Sequence, residues 1–312
     1  MSKAEQLVYS VIDAQYATNT ATQLPSIFHL SLHLSSNIDL LRRAYEIRAD
    51  IVRLLDDDQQ RRQHIIDYMT SRTKKSMYDL NQYVDFSVEE DFALRHLYAR
   101  LIKASTRCLK TADAFESFGW EMGAVVRDHS SLLLHQLTTI RDAKLVTDTS
   151  FHPVCAEYSP ALQLRILGLS RLHTLKEPIL DIGCGKSGSL VRHLRDLGFQ
   201  ATGIDRDVTP SSYLIEADWA SAPLGTGEWG TILSHMAFSN HFLHHHYRTD
   251  GRPLPYARLY RRILHALRPG GSFIYAPGLP FMKRLLPPDE YAVRNAGIDR
   301  YPEIYSTRVT RR

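Results

Sequence analysis

Residues 178–188 read Pro-Ile-Leu-Asp-Ile-Gly-Cys-Gly-Lys-Ser-Gly, and this stretch decides the fold. The apolar run at 179–182 predicts a short buried strand, and the amphipathic stretch at 190–197 predicts a helix. Gly183 and Gly185 between them predict a tight turn whose backbone can approach a ligand closely. We therefore expect a ligand at the carboxyl edge of a parallel sheet, beside the start of that helix.

The sequence downstream of residue 150 alternates short apolar runs with amphipathic stretches. That alternation is typical of βαβ units and a parallel sheet. A leading helix is predicted at 160–172, and further strands at 201–204, 213–216, 230–234 and 272–276, with a final strand pair within 291–312. The predicted fold class is α/β, with a Rossmann-like, doubly wound and mostly parallel sheet of seven strands.

Residues 1–150 have a different texture, with glycine nearly absent before Gly119. Apolar residues recur at helical spacing over 38–55, 92–109 and 122–140. Ser87 and Glu90 have the form of a capping box, which starts a helix. We expect 1–150 to be an all-α extension, either a lid or a dimerisation region, and 151–312 to be the catalytic domain. The second of these alternatives would make the protein a homodimer.

The composition indicates which partners and which cellular location to expect. The 312 residues carry 38 basic and 34 acidic side chains, and the basic pairs are scattered, which disfavours a nucleic-acid partner. Three separated cysteines favour a reducing, cytoplasmic location over a disulfide framework. The polar N-terminal residues do not resemble a signal peptide, and no apolar run approaches the ~20 residues that span a bilayer. No membrane partner is expected.

Three features follow the glycine turn in order. Asp205 ends the second predicted strand, Ala217-Asp218-Trp219 follows the third, and 267–275 read Leu-Arg-Pro-Gly-Gly-Ser-Phe-Ile-Tyr. Together with the turn, this series resembles the class I family of S-adenosylmethionine (SAM)-dependent methyltransferases over roughly residues 155–312. The resemblance implies SAM as the cofactor.

The family's cofactor roles carry over residue by residue. The resemblance implies that the turn holds the methionine part of SAM, that Asp205 holds the ribose, and that Asp218 binds the adenine. The flat aromatic side chain of Trp219 could cover the adenine ring. The cofactor-binding residues expected in all are Asp181, Gly183, Gly185, Asp205, Asp218, Trp219 and Ser234. Ser187, where many members have glycine, and Gly230, where aspartate often precedes the fourth strand, depart from the family pattern.

A dinucleotide-binding oxidoreductase is the alternative interpretation of the glycines. Gly183, Gly185 and Gly188 also satisfy the G-x-G-x-x-G spacing. Asp181 at the strand end and the Arg-Pro-Gly-Gly turn favour SAM instead.

The chemistry is expected beyond the fourth and fifth strands, in the loops 234–246 and 275–281. The predicted catalytic residues are Asn240, which can hold an amine or hydroxyl, His241, which can act as a general base, and Tyr275. Aromatic faces stabilise a sulfonium charge, although they can equally pack the sheet edge. The predicted substrate-binding residues are Tyr158, Phe238, Phe242 and Phe281.

The residues that metal-dependent or nucleic-acid-modifying enzymes require are missing from these loops. His241 and His245 lie four apart and can share a helix face, but no nearby carboxylate or cysteine completes a zinc set, so no metal is predicted. Residues 239–242 lack the prolines of nucleic-acid amino-methyltransferases. The acidic ligands of metal-dependent catechol methyltransferases are missing from this region.

The predicted function is a SAM-dependent transferase acting on a small molecule, most simply a methyltransferase. Because the motifs do not say which sulfonium carbon is attacked, SAM itself is an alternative substrate. Attack by its own amine would give azetidine-2-carboxylate and methylthioadenosine, and the two loops resemble those of bacterial azetidine-2-carboxylate synthases on the same fold. A non-catalytic SAM-binding regulator is the third alternative.

Overall fold

A computed structural model describes residues 1–20, 38–80, 82–84, 86–145, 158–169, 172–249, 251–298 and 301–312. The chain divides into two compact units, Met1–Val154 and Cys155–Arg312. No helix within the described residues is both long and apolar enough to cross a membrane.

The described residues of the first unit form helices. These are α1 (Lys3–Thr20), α2 (Ile38–Glu46), α3 (Arg48–Asp56), α4 (Gln59–Leu80), α5 (Val88–Thr111) and α6 (Phe115–Leu145). Their buried faces form one apolar core that runs from Ala4 to Leu137. Burial of such helix stripes against one another is what stabilises an all-α unit.

Local signals explain where these helices begin and end. The predicted capping box is present, with Ser87 Oγ accepting from the Glu90 N–H and the Glu90 carboxylate accepting from the Ser87 N–H. The helical run predicted over 38–55 is divided at Ile47, whose φ of −104° and ψ of 26° lie outside the α-helical range. Periodicity alone misses this break because the apolar spacing continues through it.

The second unit contains a sheet of seven strands in the order β3-β2-β1-β4-β5-β7-β6. Its elements are α7 (Pro160–Ile166), a 3₁₀ turn (Leu172–Thr174), β1 (Ile179–Ile182), α8 (Ser189–Asp196), β2 (Ala201–Asp205), β3 (Leu214–Glu216), β4 (Trp229–His235), α9 (Phe238–Tyr247), α10 (Pro253–Ala266), β5 (Leu267–Ala276), a second 3₁₀ turn (Met282–Leu285), β6 (Tyr291–Ile298) and β7 (Tyr301–Arg311). Strands β1 to β5 are parallel to one another, and β7 is antiparallel to both β5 and β6.

Apolar cores cover both faces of this sheet. One combines alternate strand residues such as Ile182 and Phe273 with residues of α9 and α10. The other combines the intervening strand residues, such as Ile179 and Ile274, with residues of α7 and α8. Helices on both faces of a mostly parallel sheet define a doubly wound, Rossmann-like α/β fold, so the predicted fold class is confirmed.

Three element predictions need correction. The predicted leading helix stops at Ile166 rather than residue 172. The predicted loop 234–246 instead contains helix α9 over most of its length. The Arg-Pro-Gly-Gly turn is present, but as an irregularity within β5, where the pairing with β4 shifts between Trp229 and Thr231 and Gly270 has a φ of +72°.

Candidate functional site

The carboxyl ends of the parallel strands meet at one edge of the sheet. The turn after β1, Asp205 at the end of β2, 217–219 after β3 and His235 at the end of β4 all lie at this edge. Neighbours β1 and β4 lead away to helices on opposite faces of the sheet, α8 and α9. This is a topological switch point, where open α/β sheets bind ligands.

The glycine turn has the backbone that its sequence predicts. Gly183 and Gly185 have φ values of +79° and +76°, a region that other residues rarely adopt. The N–H groups of Gly183 and Cys184 both donate to Ile204 O, at 2.8 and 3.3 Å, and the Gly185 N–H donates to Asp205. Because these donors are already used, they do not form the open cradle of N–H groups that binds phosphate.

Asp205 ties the turn to β2. Its Oδ2 accepts from the Gly185 N–H at 3.1 Å and its Oδ1 accepts from the Asp207 N–H at 3.0 Å. Burial raises the pKa of this carboxyl above its ordinary value, and the two backbone hydrogen bonds oppose that shift. Since each carboxylate oxygen has a second lone pair, Asp205 keeps the capacity to accept from a ligand.

Asp181 lies within β1, paired with Gly203 of β2 and Leu233 of β4. Its side chain is 1% exposed. Because side chains alternate along a strand, Asp181 and His235 point to the same face of the sheet. The carboxylate is therefore buried on the sheet face that His235 shares, and its predicted contact with the cofactor stays a prediction.

Trp219 covers the turn from the third strand's side. A Cβ on Gly183 would lie 3.1 Å from Trp219 Cζ2 and 2.3 Å from Ala237 Cβ, so only glycine fits beneath these two residues. The Trp219 ring also meets the His241 ring edge-on at 5.0 Å. Turns after β1, β3 and β4 therefore contact one another. Neighbouring Asp218 is exposed, and its Oδ1 accepts from the Ala220 N–H at 2.7 Å.

His235 is a site residue that the sequence interpretation missed. It is 8% exposed, its ring meets that of Tyr158 edge-on at 5.4 Å, and burial lowers its pKa to about 4. The imidazole is therefore neutral near pH 7. Its position as the last residue of β4 was the available signal, because strand ends at this edge face the ligand.

Three buried polar atoms at this edge have no hydrogen-bond partner among the described residues. They are Trp219 Nε1, His235 Nε2 and Ser239 Oγ. They lie after β3, at the end of β4 and in the first turn of α9, respectively. A buried polar atom without a partner costs free energy, about 1–3 kcal/mol, so this set of atoms suits a ligand that hydrogen-bonds to them.

The link between β4 and α9 is strained. Met236 has a φ of +51°, and its carbonyl accepts from Asn240 Nδ2 at 2.9 Å. Non-glycine residues in this region cluster at functional sites. Asn240, predicted to be catalytic, thus holds this turn in the structure.

His241 is in the first turn of α9. The ring is buried between Trp219 and Tyr256, with centroid distances of 5.0 and 6.3 Å. Burial lowers the pKa of His241 well below its ordinary value, and the nearby Arg206, His245 and His244 lower it further. Because the ring is buried between two aromatic rings and burial opposes its protonation, the geometry favours a packing and hydrogen-bonding role for this residue.

Several predicted ligand contacts are buried in the protein. Ser234 is fully buried, and its Oγ accepts from the Phe238 N–H at 3.1 Å, which fixes the start of α9. Phe238 is also fully buried, among the rings of Tyr260 and Phe273. Phe242 is 2% exposed and contacts Tyr256 and Phe281. In the structure these side chains pack the core that supports the site.

Tyr275 lines a cleft of about 470 Å³ on the β5–β7 side of the unit. Its hydroxyl lies 3.2 Å from that of Tyr260, and burial raises its pKa to about 12. The cleft is also lined by Tyr305, Asn295, Lys283 and Arg284. It therefore combines aromatic, hydrogen-bonding and cationic groups.

Two predicted substrate residues remain partly accessible. Tyr158 is 37% exposed and faces His235. Phe281 is half-buried and stacks on His246 with ring centroids 3.7 Å apart. Within the described part of the chain, no group of three or more His, Cys, Asp or Glu residues is placed to hold a metal ion.

Known proteins resemble this chain in structure rather than in sequence. No protein-family model matches it, and no curated protein matches its sequence. Similar solved structures include the PH0226 protein from Pyrococcus horikoshii OT3 (14% identity, covering 48% of this chain and 90% of that one, TM-score 0.34). A putative S-adenosylmethionine-dependent methyltransferase from Listeria monocytogenes is also similar (13% identity, 49% and 99% covered, TM-score 0.34). A third is an S-adenosylmethionine-dependent methyltransferase from Mesorhizobium loti (18% identity, 43% and 90% covered, TM-score 0.31).

Proposed function

We propose that the second unit binds SAM and that the protein is a SAM-dependent transferase acting on a small molecule, most simply a methyltransferase. One observation carries the proposal. The glycine turn after β1 is joined to Asp205 at the end of β2, at the switch point of a doubly wound sheet. This is the arrangement that the motif resemblance implies for a SAM site.

The residues present fit SAM better than a phosphate-bearing cofactor. The N–H groups of Gly183, Cys184 and Gly185 are bonded within the protein. The antiparallel β7 beside β5 also interrupts the second parallel half on which dinucleotide-binding folds depend. Carboxylates at Asp181, Asp205 and Asp218 suit a ligand with hydroxyl, amine and sulfonium groups.

The ribose and the adenine of the cofactor have candidate partners in this unit. Asp205 would accept from the ribose hydroxyls, and the exposed Asp218 would accept from the adenine amino group beside the Trp219 ring. SAM would supply a sulfonium whose attached carbons are open to nucleophilic attack. His235, neutral and with a buried Nε2 at the same edge, would hydrogen-bond the cofactor or the acceptor.

The cleft beside Tyr275 is where we place the acceptor. Its size suits a small molecule rather than a polymer. Lys283 and Arg284 at its margin would favour an acceptor with a negatively charged group, and Tyr305 would offer an aromatic face. The motifs do not identify which sulfonium carbon is attacked. The experiment below therefore also tests SAM itself as the substrate.

The decisive experiment incubates the purified full chain with SAM alone, measures binding by calorimetry and analyses the products by mass spectrometry. Saturable SAM binding supports the proposal, and binding of NAD without SAM would overturn it. Catalytic formation of methylthioadenosine with azetidine-2-carboxylate would identify the cyclase alternative. Stable bound SAM would be followed by a screen of small acceptors for S-adenosylhomocysteine release. If no acceptor gave turnover, the non-catalytic regulator would replace the enzyme.

A further inference from the structure

The core of the first unit contains a cavity of about 210 Å³ to which helices α1 to α6 all contribute. Aliphatic and aromatic side chains line it, among them Val8, Leu41, Ala44, Leu101, Phe118 and Met122. All the described residues that line the cavity belong to the first unit.

The cavity is partly open rather than fully enclosed, and a cavity of this size is unusual in a protein core. Native cores pack as densely as organic crystals, with few voids larger than a water molecule. An apolar cavity of roughly 150 Å³ inside a helical protein stays dry and binds benzene. The cavity here is larger than that and mostly apolar in its lining, so an apolar molecule would fill it better than water would.

One part of the lining is polar. The Tyr16 hydroxyl lies 2.7 Å from Thr73 Oγ1 and 2.9 Å from the Tyr98 hydroxyl, and it donates to Met69 O at 3.1 Å. The Thr73 and Tyr98 hydroxyls are also hydrogen-bonded to each other. This cluster is built by α1, α4 and α5, with Thr73 and Tyr98 buried and Tyr16 half-buried, and its hydrogen bonds fix the orientation of the hydroxyl groups.

His129 of α6 lies beside this cluster. Its ring is 5.1 Å from the Tyr98 ring, and the residue is 6% exposed. Burial lowers the pKa of His129 to about 4, so its imidazole is neutral at pH 7 and can donate or accept a hydrogen bond. No Asp, Glu, Lys or Arg is among the described residues that line the cavity.

We propose that this cavity is a binding site for a neutral, mostly apolar small molecule of about ten carbon atoms with one hydrogen-bonding group, which faces His129. Bundle cores are a common place for ligand sites, since side chains from facing helices converge there. A charged ligand is disfavoured because the lining offers it no partner and removes its water.

The test uses 2-naphthol, an apolar fused ring with one hydroxyl group, and the full-length chain. We expect saturable one-to-one binding by fluorescence and calorimetry, with a rise in Tm that grows with ligand concentration. The matched control 2-naphthalenesulfonate has the same ring and a fixed charge, and should bind at least tenfold more weakly. Absence of 2-naphthol binding, or equal binding of the sulfonate, would overturn the proposal.

Matched variants locate the site. Ala44→Phe on α2 adds a ring at a cavity-lining position, whereas Ala49→Phe on α3 adds the same ring at an exposed position. We expect Ala44→Phe to weaken 2-naphthol binding at least tenfold without a fall in Tm, and Ala49→Phe to leave binding unchanged. Should Ala44→Phe lower the Tm, Leu101→Phe on α5 repeats the test from another wall. Full binding by a folded, cavity-filled variant would place the ligand elsewhere and refute the site.

A substitution of His129 tests the polar end of the cavity. His129→Phe keeps a ring of similar shape and removes the hydrogen-bonding nitrogens. The parent chain should bind 2-naphthol more tightly than naphthalene, and His129→Phe should bind the two equally. A preference unchanged by His129→Phe would show that the hydroxyl group does not face this residue.

Discussion

The N–H of Gly185 donates to Oδ2 of Asp205 over 3.1 Å, so one carboxylate holds the turn after β1 against the end of β2. The same carboxylate is the residue proposed to bind the ribose of SAM. Asp205 therefore has two tasks that substitutions can separate.

Asp205→Ala should weaken SAM binding by ~1–3 kcal/mol, because both the ligand hydrogen bonds and the support of the turn are lost. Calorimetric titration measures the effect. Asp205→Asn keeps one acceptor oxygen for the turn and should therefore lose less SAM-binding free energy than Asp205→Ala. Asp207→Ala, two residues along, is the control, and a Kd for Asp205→Ala equal to that of Asp207→Ala would remove Asp205 from the site.

Gly183→Ala should lower the free energy of unfolding more than Gly198→Ala does. Both Gly183 and Gly198 have positive φ values, +79° and +91°, which cost an alanine ~1–2 kcal/mol. A Cβ at Gly183 would also meet Ala237 at 2.3 Å, whereas the space around Gly198 is open. Overpacking adds about 1–3 kcal/mol at Gly183. Urea unfolding of the two variants compares these costs, and equal values would contradict the close contact with Ala237.

SAM binding should change the fluorescence of Trp219, because its ring lies over the glycine turn. Trp229 begins β4 at the opposite edge of the sheet, where its Nε1 donates to Leu224 O at 2.8 Å. Trp219→Phe should therefore abolish the fluorescence response to SAM, and Trp229→Phe should retain it. A response that survives Trp219→Phe would place the adenine elsewhere.

His235 should make the protein sensitive to acid. Its pKa of about 4 in the folded chain lies below the unfolded value of 6.5, so the unfolded state binds the proton more tightly. The contribution of the neutral His235 to the free energy of unfolding is fully present above pH 6.5. It is lost as the pH drops toward 4, by about 3 kcal/mol in total. His235→Gln should flatten the pH dependence of urea unfolding over that interval.

The exposed His173 provides the matched control for this experiment. His173→Gln should keep the parent's pH profile. If His235→Gln also kept that profile, the imidazole would not be buried in its neutral form. The variant's SAM affinity at pH 7.5, measured alongside, reports on the proposed contact separately from stability.

Local signals predicted the parts of the fold that depend on neighbouring residues. The strand at 179–182, the glycine turn and the capping box at Ser87 were each confirmed, because short-range backbone geometry determines them. Helix α9 was missed because its sequence combines histidines with aromatics of modest helix propensity. It is held by Phe238 and Phe242, which pack against Tyr256 of α10.

Contacts between distant residues were beyond the sequence interpretation. The burial of His235 depends on Tyr158, which lies far away in the chain. The inward position of Ser234 and Phe238 depends on α10 covering that face of the sheet. Residue types at strand ends indicate the location of a site, whereas the orientation of each side chain is set by tertiary packing.

The position of β7 constrains the order in which the second unit can be assembled during synthesis. In the sheet, β7 lies between β5 and β6, although β6 comes first in the chain. On the ribosome, β6 therefore emerges before the strand that joins it to the sheet. Until β7 follows, β6 and the adjoining edge of β5 expose unpaired backbone groups, which chaperones or neighbouring nascent chains can bind.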